Sequence, residues 1–193
     1  MSASPFTITP LMEALEGEIS AGPALVRRTP LIDDRGAFAR IFCAEALQGI
    51  GWPGPVAQIN HSRTTRAGTV RGLHFQRLPH AEAKLVVCIR GAVHDVAVDI
   101  RADSPARYAH AGTRLSADTA TAMYVPEGFA HGFQALSDDV ELIYIHSAPY
   151  AAAAEAGLRH DDPRLGIAWP LPVTGLSERD ASFPLIEDVR PGS

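Results

Sequence analysis

Two polar side chains interrupt apolar runs at positions where they could do acid-base chemistry. His74 lies in the middle of VRGLHFQ, residues 70–76, and Tyr144 lies in VELIYIH, residues 140–146. Because alternate residues of a strand share a face, each is expected to point to one side of a sheet. A polar group buried there is costly unless it meets a ligand or another polar group. His74 and Tyr144 are therefore candidate functional residues, and the alternative for His74 is a half-buried histidine that only bonds its neighbours.

A third candidate is His131 in PEGFAHGF, residues 126–133. Its spacing, P-x-G-x-x-H, is similar to a turn of cupin-type double-stranded β-helices, where the histidine often binds a metal beside an H-x-H pair. No H-x-H occurs in this chain. His74, His131 and His94 could supply nitrogen ligands, but no carboxylate stands at a recognisable ligand spacing, and catalytic metal sites generally need about three protein ligands. We expect no metal and no cofactor, with a metal-dependent cupin enzyme as an alternative.

Lys84 is the only lysine in the chain, since the other 16 of its 17 basic side chains are arginine. An isolated lysine is normally a solvated surface charge. An ammonium group, however, is a compact charge that can serve a single oxygen, which a planar guanidinium does less well. A lone lysine in an arginine-rich chain therefore suggests a compact positive charge with a specific task.

Elements that could position these residues follow one another through the middle of the chain. Short runs rich in β-branched and aromatic residues alternate with turn formers at intervals of roughly 8–12 residues, a spacing typical of sandwiches and barrels. No long helical pattern intervenes, so we predict an all-β antiparallel core enclosing a pocket. Helix is expected only at the edges: a turn or two within residues 38–48, and either a short helix or a loop at residues 151–157. The predicted strands are residues 56–62, 69–76, 84–89, 92–100, 107–115, 121–125, 132–135 and 140–146.

Composition limits the classes of function. The chain has 193 residues, 46% hydrophobic and 20% charged, which favours one folded domain over residues 1–193 with irregular ends. A net charge of −5 argues against a general nucleic-acid binder. Two cysteines are too few for a disulfide framework, and no apolar run approaches the roughly 18 residues of a membrane helix. We expect no secretory leader, because no positively charged segment followed by an apolar run and a cleavage site stands at the start. We expect a cytoplasmic protein without nucleic-acid or membrane partners.

A series of short motifs follows in order across about residues 30–181. The motifs are DRG at 34–36, QINHS at 58–62, RGLHFQ at 71–76, KLV at 84–86, DVAVDIR at 95–101, SP at 104–105, PEGFAHGF at 126–133, DDP at 161–163, WP at 169–170 and LSERD at 176–180. Together they resemble the dTDP-4-dehydrorhamnose 3,5-epimerase family. This resemblance implies a metal-free, cupin-like double-stranded β-helix, or jelly roll, with short peripheral helices, usually a homodimer. It also implies a dTDP-4-keto-6-deoxyhexose substrate that is inverted at carbons 3 and 5 through an enolate.

The same resemblance implies a role for each candidate residue. His74 matches the base, Asp180 its carboxylate partner, and Tyr144 the acid on the opposite face of the sugar. Lys84 would donate to the oxyanion that develops at carbon 4. The residues expected to hold sugar, diphosphate or base are Arg35, Phe38, Gln58, Asn60, Arg71, His131, Tyr150, Glu155 and Arg179.

Several positions depart from the family pattern. Ile145 and His146 follow Tyr144 where lysine and then cysteine or threonine are common, and only Tyr150 remains of a tyrosine pair. The other departures are Arg40 for glutamate, His160 for tryptophan and Arg179 for lysine. This drift leaves open an enzyme that inverts one carbon only or takes another nucleotide, and a sugar-nucleotide binding module without catalysis.

One geometric question concerns the spacing of Arg71 and His74. Residues three apart in a regular strand point to opposite faces. If both serve one pocket, either Gly72 marks a bulge or the arginine reaches around the end of the strand.

Overall fold

The computed structural model describes residues 4–12 and 22–186, which form two antiparallel β-sheets packed face to face. The strands are Phe6–Pro10 (β1), Ala24–Arg28 (β2), Leu31–Asp33 (β3), Gly36–Phe38 (β4), Gln58–Thr64 (β5), Val70–Gln76 (β6), Lys84–Arg90 (β7), Ala92–Asp99 (β8), His110–Ser116 (β9), Thr121–Val125 (β10), Phe129–Ala135 (β11), Val140–His146 (β12) and Glu155–Gly157 (β13). Strand order in the six-stranded sheet is β1-β2-β10-β7-β12-β5, and in the five-stranded sheet it is β13-β6-β11-β8-β9. β3 and β4 form a separate small hairpin.

Interleaved strand order, rather than a simple meander, makes this a cupin-like jelly roll. β7 pairs with β10 and β12, and β11 pairs with β6 and β8, so the chain alternates between the sheets from β5 to β8 and again from β9 to β13. Side chains from both inner faces form a core in which Val86, Leu142 and Met123 meet Phe133 and Phe129. The predicted all-β fold is confirmed.

All eight predicted strands are present, two of them (Thr121–Val125 and Val140–His146) with the predicted boundaries and six with shifted ones. The strand predicted at 107–115 begins only at His110, because Tyr108 has a positive φ of 71° and residues 101–109 form turns. These turns end at the backbone of Asp99, which accepts the N–H of Tyr108 and donates to the carbonyl of Ala109. The strand predicted at 132–135 begins earlier, at Phe129, where it pairs with Asp99 of β8. Pairing with β8 therefore extends this strand by three residues on its N-terminal side.

The first edge segment holds a short helix, as predicted, whereas the second ends in a strand that was not predicted. Residues 38–48 contain only α1, Ala44–Gln48, because Gly36–Phe38 pairs with Leu31–Asp33 instead. Residues 151–157 form a 3-10 turn at Ala152–Ala154 followed by β13, which pairs with the edge of β6. A second helix, α2, spans Glu178–Ser182. No helix among residues 4–12 and 22–186 is long and apolar enough to cross a membrane.

Candidate active site

A pocket of about 690 Å³ opens between the two sheets, and its walls carry most of the candidate residues. β6 and β11 supply His74 and His131 on one side, while β12 and β5 supply Tyr144 and Asn60 on the other. α2 and its N-cap residue close one side with Asp180 and Ser177. The candidates that line this pocket are Gln58, Asn60, Arg71, His74, Lys84, His131, Tyr144, Tyr150, Glu155, Arg179 and Asp180.

His74 and Asp180 form a hydrogen-bonded pair. His74 Nε2 lies 2.8 Å from Asp180 Oδ1, and Asp180 Oδ2 accepts the backbone N–H of Gly72 at 3.1 Å. Burial alone would raise the pKa of the Asp180 carboxyl, but the bonds from His74 and Gly72 hold this pKa well below its usual range. An ionised carboxylate at Nε2 places the ring hydrogen there, so Nδ1 is the nitrogen left to accept a proton.

α2 delivers Asp180 to this position. The Ser177 hydroxyl caps the helix by accepting the backbone N–H of Asp180 at 3.0 Å. The preceding chain is fixed to β6, because Val70 N donates to Gly175 O at 2.9 Å. A carboxylate more than 100 residues from His74 in sequence therefore meets it through one short capped helix.

A bulge in β6 resolves the spacing of Arg71 and His74. Phe133 pairs with Arg71 and His131 pairs with His74, so three steps on β6 oppose two on β11. The extra residue lies at Gly72, which has a positive φ of 127° and where the Cβ of any other residue would stand 2.5 Å from Gly132 Cα. Of the two explanations offered by the sequence, the bulge is confirmed, and both side chains line the pocket.

Tyr144 faces this pair from the opposite sheet. Its ring contacts the ring of His131 edge-on, with centroids 5.9 Å apart, and stacks on His146 at 6.1 Å. His131 is itself fixed by Asp95, whose Oδ1 lies 2.9 Å from His131 Nε2. Burial raises the pKa of Tyr144, with the charge of Asp95 acting in the same direction. Tyr144 is therefore held as a neutral phenol, the form that can donate a proton.

Lys84 is buried in the pocket wall beside a carboxylate that sequence reasoning missed. Its Nζ lies 3.0 Å from Glu82 Oε1, and Glu82 Oε2 accepts from His146 Nδ1 at 2.7 Å. His146 was identified from the sequence only as a departure from the family pattern, without a role. Glu82 could have been found from its position two residues before Lys84, because such residues share a side of an extended chain.

Two arginines differ in how they are held. Arg179 donates to Glu155 at 2.9 Å, and its Nη2 lies 3.1 Å from His74 Nε2. Arg71 instead bonds uncharged acceptors, the Thr64 hydroxyl at 3.0 Å and the carbonyl of Arg63 at 3.2 Å. Arg71 thus keeps a charge that no carboxylate in these bonds offsets, which suits an anionic ligand.

Residues at the mouth are linked by hydrogen bonds. Tyr150 donates from its hydroxyl to Glu155 Oε2 at 3.0 Å and from its backbone to Gln58 Oε1 at 2.8 Å. Asn60 lies one strand over from Tyr144 and 3.4 Å from His146 Nε2 through its amide. Together they form a polar rim over the acid-base residues.

Two candidates lie outside this pocket. Arg35 and Phe38 belong to the exposed β3–β4 hairpin, where Arg35 bonds Asp33 of the same hairpin and Phe38 is 72% exposed. The sequence motif around Arg35 placed it in the site, but the chain's own fold does not bring it there.

The three histidines considered as metal ligands do not converge. His74 and His131 are cross-strand neighbours, each already bonded to a carboxylate, whereas His94 packs its ring on Trp169 away from the pocket. In the part of the chain that the structure describes, no group of three or more His, Cys, Asp or Glu side chains is arranged to hold a metal ion.

A family profile and individual relatives both match this chain to one family of sugar-nucleotide epimerases. The profile described as dTDP-4-dehydrorhamnose 3,5-epimerase matches residues 19–188. A dTDP-4-dehydrorhamnose 3,5-epimerase of Streptomyces griseus is 45% identical over 159 residues, covering 81% of this chain and 78% of the relative. A dTDP-4-dehydrorhamnose 3-epimerase of Streptomyces niveus is 42% identical over 159 residues, covering 82% and 76%.

A solved structure shares the fold and carries a ligand. It is a dTDP-6-deoxy-D-glucose-3,5-epimerase of Legionella pneumophila in complex with dTDP-4-keto-L-rhamnose. It superposes with a TM-score of 0.84 at 31% identity and covers 95% of each chain. The likeness therefore extends over nearly the whole length of both proteins.

Proposed function

The chain belongs to the dTDP-4-dehydrorhamnose 3,5-epimerase family, and from this premise we propose how its own residues epimerise the sugar. It is an isomerase that acts on a dTDP-4-keto-6-deoxyhexose. The ketone at carbon 4 acidifies the hydrogens on carbons 3 and 5, so inversion needs a base on one face and an acid on the other. One observation carries the assignment: the His74–Asp180 pair and Tyr144 lie on opposite walls of one pocket.

Deprotonation is assigned to His74. Its Nδ1 takes the proton from carbon 3 or 5, and the C–H electron pair moves into an enolate with negative charge on the carbon-4 oxygen. Asp180 stabilises the imidazolium through Nε2 and keeps the ring in the required tautomer. Lys84 donates a hydrogen bond to the oxygen as charge builds up there.

Reprotonation is assigned to Tyr144. The enolate electrons return to carbon, the tyrosine hydroxyl supplies a proton from the opposite face, and the ketone is restored. His74 then loses its proton to solvent and Tyr144 regains one, so each inversion introduces a solvent hydrogen. The chemistry needs only proton transfers.

Substrate binding is assigned to the polar residues around the acid-base centre. Arg71, whose described partners are uncharged, is suited to the diphosphate, and Arg179 lies close enough to His74 to contact the same ligand. Tyr150, 57% exposed at the mouth, offers a ring to the nucleobase. Gln58, Asn60, His131 and Glu155 supply hydrogen bonds to sugar or base.

A homodimer accounts for the two residues that the fold leaves outside. On the β3–β4 hairpin, Leu31, Ile32 and Phe38 are 71%, 79% and 72% exposed, an unusual apolar surface for such short strands. We propose that this hairpin packs on a second copy of the chain and brings Arg35 and Phe38 to the partner's pocket. Phe38→Ser is expected to shift the mass measured by light scattering toward the monomer, and an unchanged dimer would contradict this arrangement.

The cellular setting proposed is the cytoplasm. Cys43 and Cys88 are both free thiols, which fits a reducing compartment.

The experiment that tests the function is incubation with dTDP-4-keto-6-deoxyglucose in heavy water, followed by NMR of the sugar. Deuterium at carbons 3 and 5 is expected from wild-type protein and none from His74→Ala. A binding module without catalysis would give no deuterium with either protein.

A second candidate is inversion at carbon 3 alone. It is favoured by the similarity to the 3-epimerase of Streptomyces niveus, at 42% identity only slightly below the 3,5-epimerase of Streptomyces griseus. Deuterium confined to carbon 3 would assign this narrower reaction.

A further inference from the structure

Lys84 is held in a buried three-residue network, Lys84–Glu82–His146, whose members are all less than 10% exposed as side chains. Each oxygen of the Glu82 carboxylate has one partner: Oε1 meets Lys84 Nζ at 3.0 Å and Oε2 meets His146 Nδ1 at 2.7 Å. The proposed mechanism uses Lys84 but gives no task to the other two residues, although both line the pocket.

Strand register places His146 at the centre of one row of the pocket wall. It lies directly opposite Lys84 of β7 on one side and Gln58 of β5 on the other. The next row along the same face contains Tyr144, opposite Asn60. His146 is therefore adjacent to the proposed oxyanion donor, the proposed acid and the polar rim.

Hydrogen bonding fixes the orientation of the His146 ring. Burial alone would raise the pKa of Glu82, but the His146 bond and the charge of Lys84 lower it overall, so the carboxylate is ionised. The ring hydrogen accordingly lies on Nδ1, and Nε2 accepts from the Asn60 amide at 3.4 Å. The ring also stacks on Tyr144 with an interplanar angle of 25°.

The shared carboxylate limits what Glu82 can take from Lys84. An ammonium group has three N–H donors. A buried carboxylate whose second oxygen lacks a partner pays a large desolvation cost, which it can reduce by turning both oxygens onto the nearest cation. With His146 on Oε2, Glu82 engages Lys84 through Oε1 alone, and the remaining N–H groups stay available to the pocket.

We propose that His146 is a positioning residue which, by holding Glu82, keeps the Lys84 ammonium directed at the carbon-4 oxygen of the substrate. This inference rests on the proposed function, because it assumes that Lys84 stabilises the enolate. His146 acts here through Glu82 and Lys84 and transfers no proton itself.

The test compares two replacements of His146 with different hydrogen-bonding ability. His146→Asn keeps a side-chain N–H near the position of Nδ1, whereas His146→Phe keeps a ring beside Tyr144 and removes the donor. We expect His146→Phe to lower kcat for deuterium incorporation by about 10- to 100-fold with little change in KM, less than the roughly 10²–10³-fold cost of deleting an oxyanion donor outright. We expect His146→Asn to recover most of this loss.

Because Lys84 is the only lysine, protein labelled with ¹³C,¹⁵N-lysine gives one side-chain NMR signal set that reports directly on the ammonium group. His146→Phe is expected to move the Lys84 Cε and Nζ signals in the ligand-free protein, and His146→Asn to return them toward wild-type positions. If His146→Phe does not fold, as judged by thermal unfolding, His146→Leu takes its place as the variant without the donor.

The matched control is His61→Phe. His61 also bonds a glutamate of the same sheet, Glu141, at 3.0 Å, but its side chain is 52% exposed and outside the pocket. We expect it to leave kcat and the Lys84 signals unchanged.

The outcomes separate this inference from the function on which it rests. The positioning role is overturned if a folded variant that lacks the donor keeps the wild-type kcat. It is also overturned if kcat falls and His146→Asn does not restore it. In both cases the wild-type enzyme is still active, so the proposed function stands. A wild-type protein that exchanges neither carbon overturns the proposed function, and with it the catalytic meaning of any shift in the Lys84 signals.

Discussion

Asp180→Asn tests the assignment of the base with a nearly isosteric change. The carboxylate of Asp180 accepts the backbone N–H of Gly72 through Oδ2 and bonds His74 Nε2 through Oδ1, and Arg179 Nε lies 3.4 Å from the same Oδ1. An asparagine side chain has one oxygen and one NH₂ group. Because the Gly72 N–H can only be satisfied by an acceptor, the oxygen stays there and the NH₂ group faces His74. Nε2 must then accept, and the ring hydrogen moves to Nδ1, the nitrogen that should take the substrate proton.

The size of the effect follows from what is lost. General-base catalysis typically contributes about 10²–10⁴-fold, and the variant loses both the correct tautomer and the charge that stabilises the imidazolium. We expect kcat to fall by about 10³–10⁴-fold, or about 4–5.5 kcal/mol of activation free energy at about 1.36 kcal/mol per tenfold. Stability should change less, by about 2 kcal/mol, as expected for a charged hydrogen bond exchanged for a neutral one.

The assay is the initial rate of deuterium incorporation into the sugar at 25 °C, with the folded fraction checked by thermal unfolding. Asp162→Asn is the matched control: Asp162 is also buried and accepts two backbone N–H groups, from Arg164 and Ile186, but it does not line the pocket. It should lose stability and keep its rate. If folded Asp180→Asn retained more than about a tenth of the wild-type rate, Asp180 would not be setting the tautomer of His74.

Three further predictions follow from the same contacts. Gly72→Ala should lower the free energy of unfolding by at least about 3 kcal/mol and Tm by about 6–12 °C, because its Cβ would meet Gly132 Cα at a positive φ; an unchanged Tm would contradict a rigid bulge. Because the pKa of Asp180 is lowered in the folded state, the stability it contributes is present above about pH 3.9 and is lost as the pH falls toward the folded pKa. In urea denaturation, the difference in free energy of unfolding between wild type and Asp180→Asn should therefore shrink in acid. A difference that does not change with pH would refute this linkage. Burial raises the pKa of the Cys88 thiol to about 11, so a thiol reagent should modify Cys43 rapidly and Cys88 only after unfolding, and rapid labelling of Cys88 in the native protein would contradict its burial.

The sequence was informative about the fold because its central strands carry strong local signals. Residues 84–90 are mostly apolar and residues 92–99 are rich in valine and alanine, and Gly91, with a positive φ of 73°, separates them. They form two consecutive strands within a residue of the predicted boundaries, one in each sheet. The short strands β1 to β4 were not identified. Phe6–Pro10 and Gly36–Phe38 have little periodicity of their own and are ordered by pairing with β2 and β3, which is a tertiary contribution.

Candidate site residues were found where a motif matched, and missed where only geometry relates them. Nothing local in LSERD indicates that Asp180 reaches His74, and this pairing was implied by the family alone. Glu82 carries no motif. Its position two residues before Lys84 is the one local signal, and its bond to His146 follows from β7 and β12, which place His146 opposite Lys84. The roles assigned to these side chains, like the single domain, remain predictions that await the rate and stability measurements on the variants.

The charges in the pocket explain how a chain of net charge −5 can accept a nucleotide diphosphate. Lys84 and Arg179 are each offset by a carboxylate, Glu82 and Glu155 respectively, so neither adds a full charge to the empty pocket. Arg71 is held by a hydroxyl and a carbonyl, which orient it without reducing its charge. A dianionic ligand therefore gains most from Arg71, while Lys84 has its largest effect later, when the enolate oxygen becomes negative. Replacing Arg71 should accordingly raise KM more than it lowers kcat, and replacing Lys84 should do the reverse.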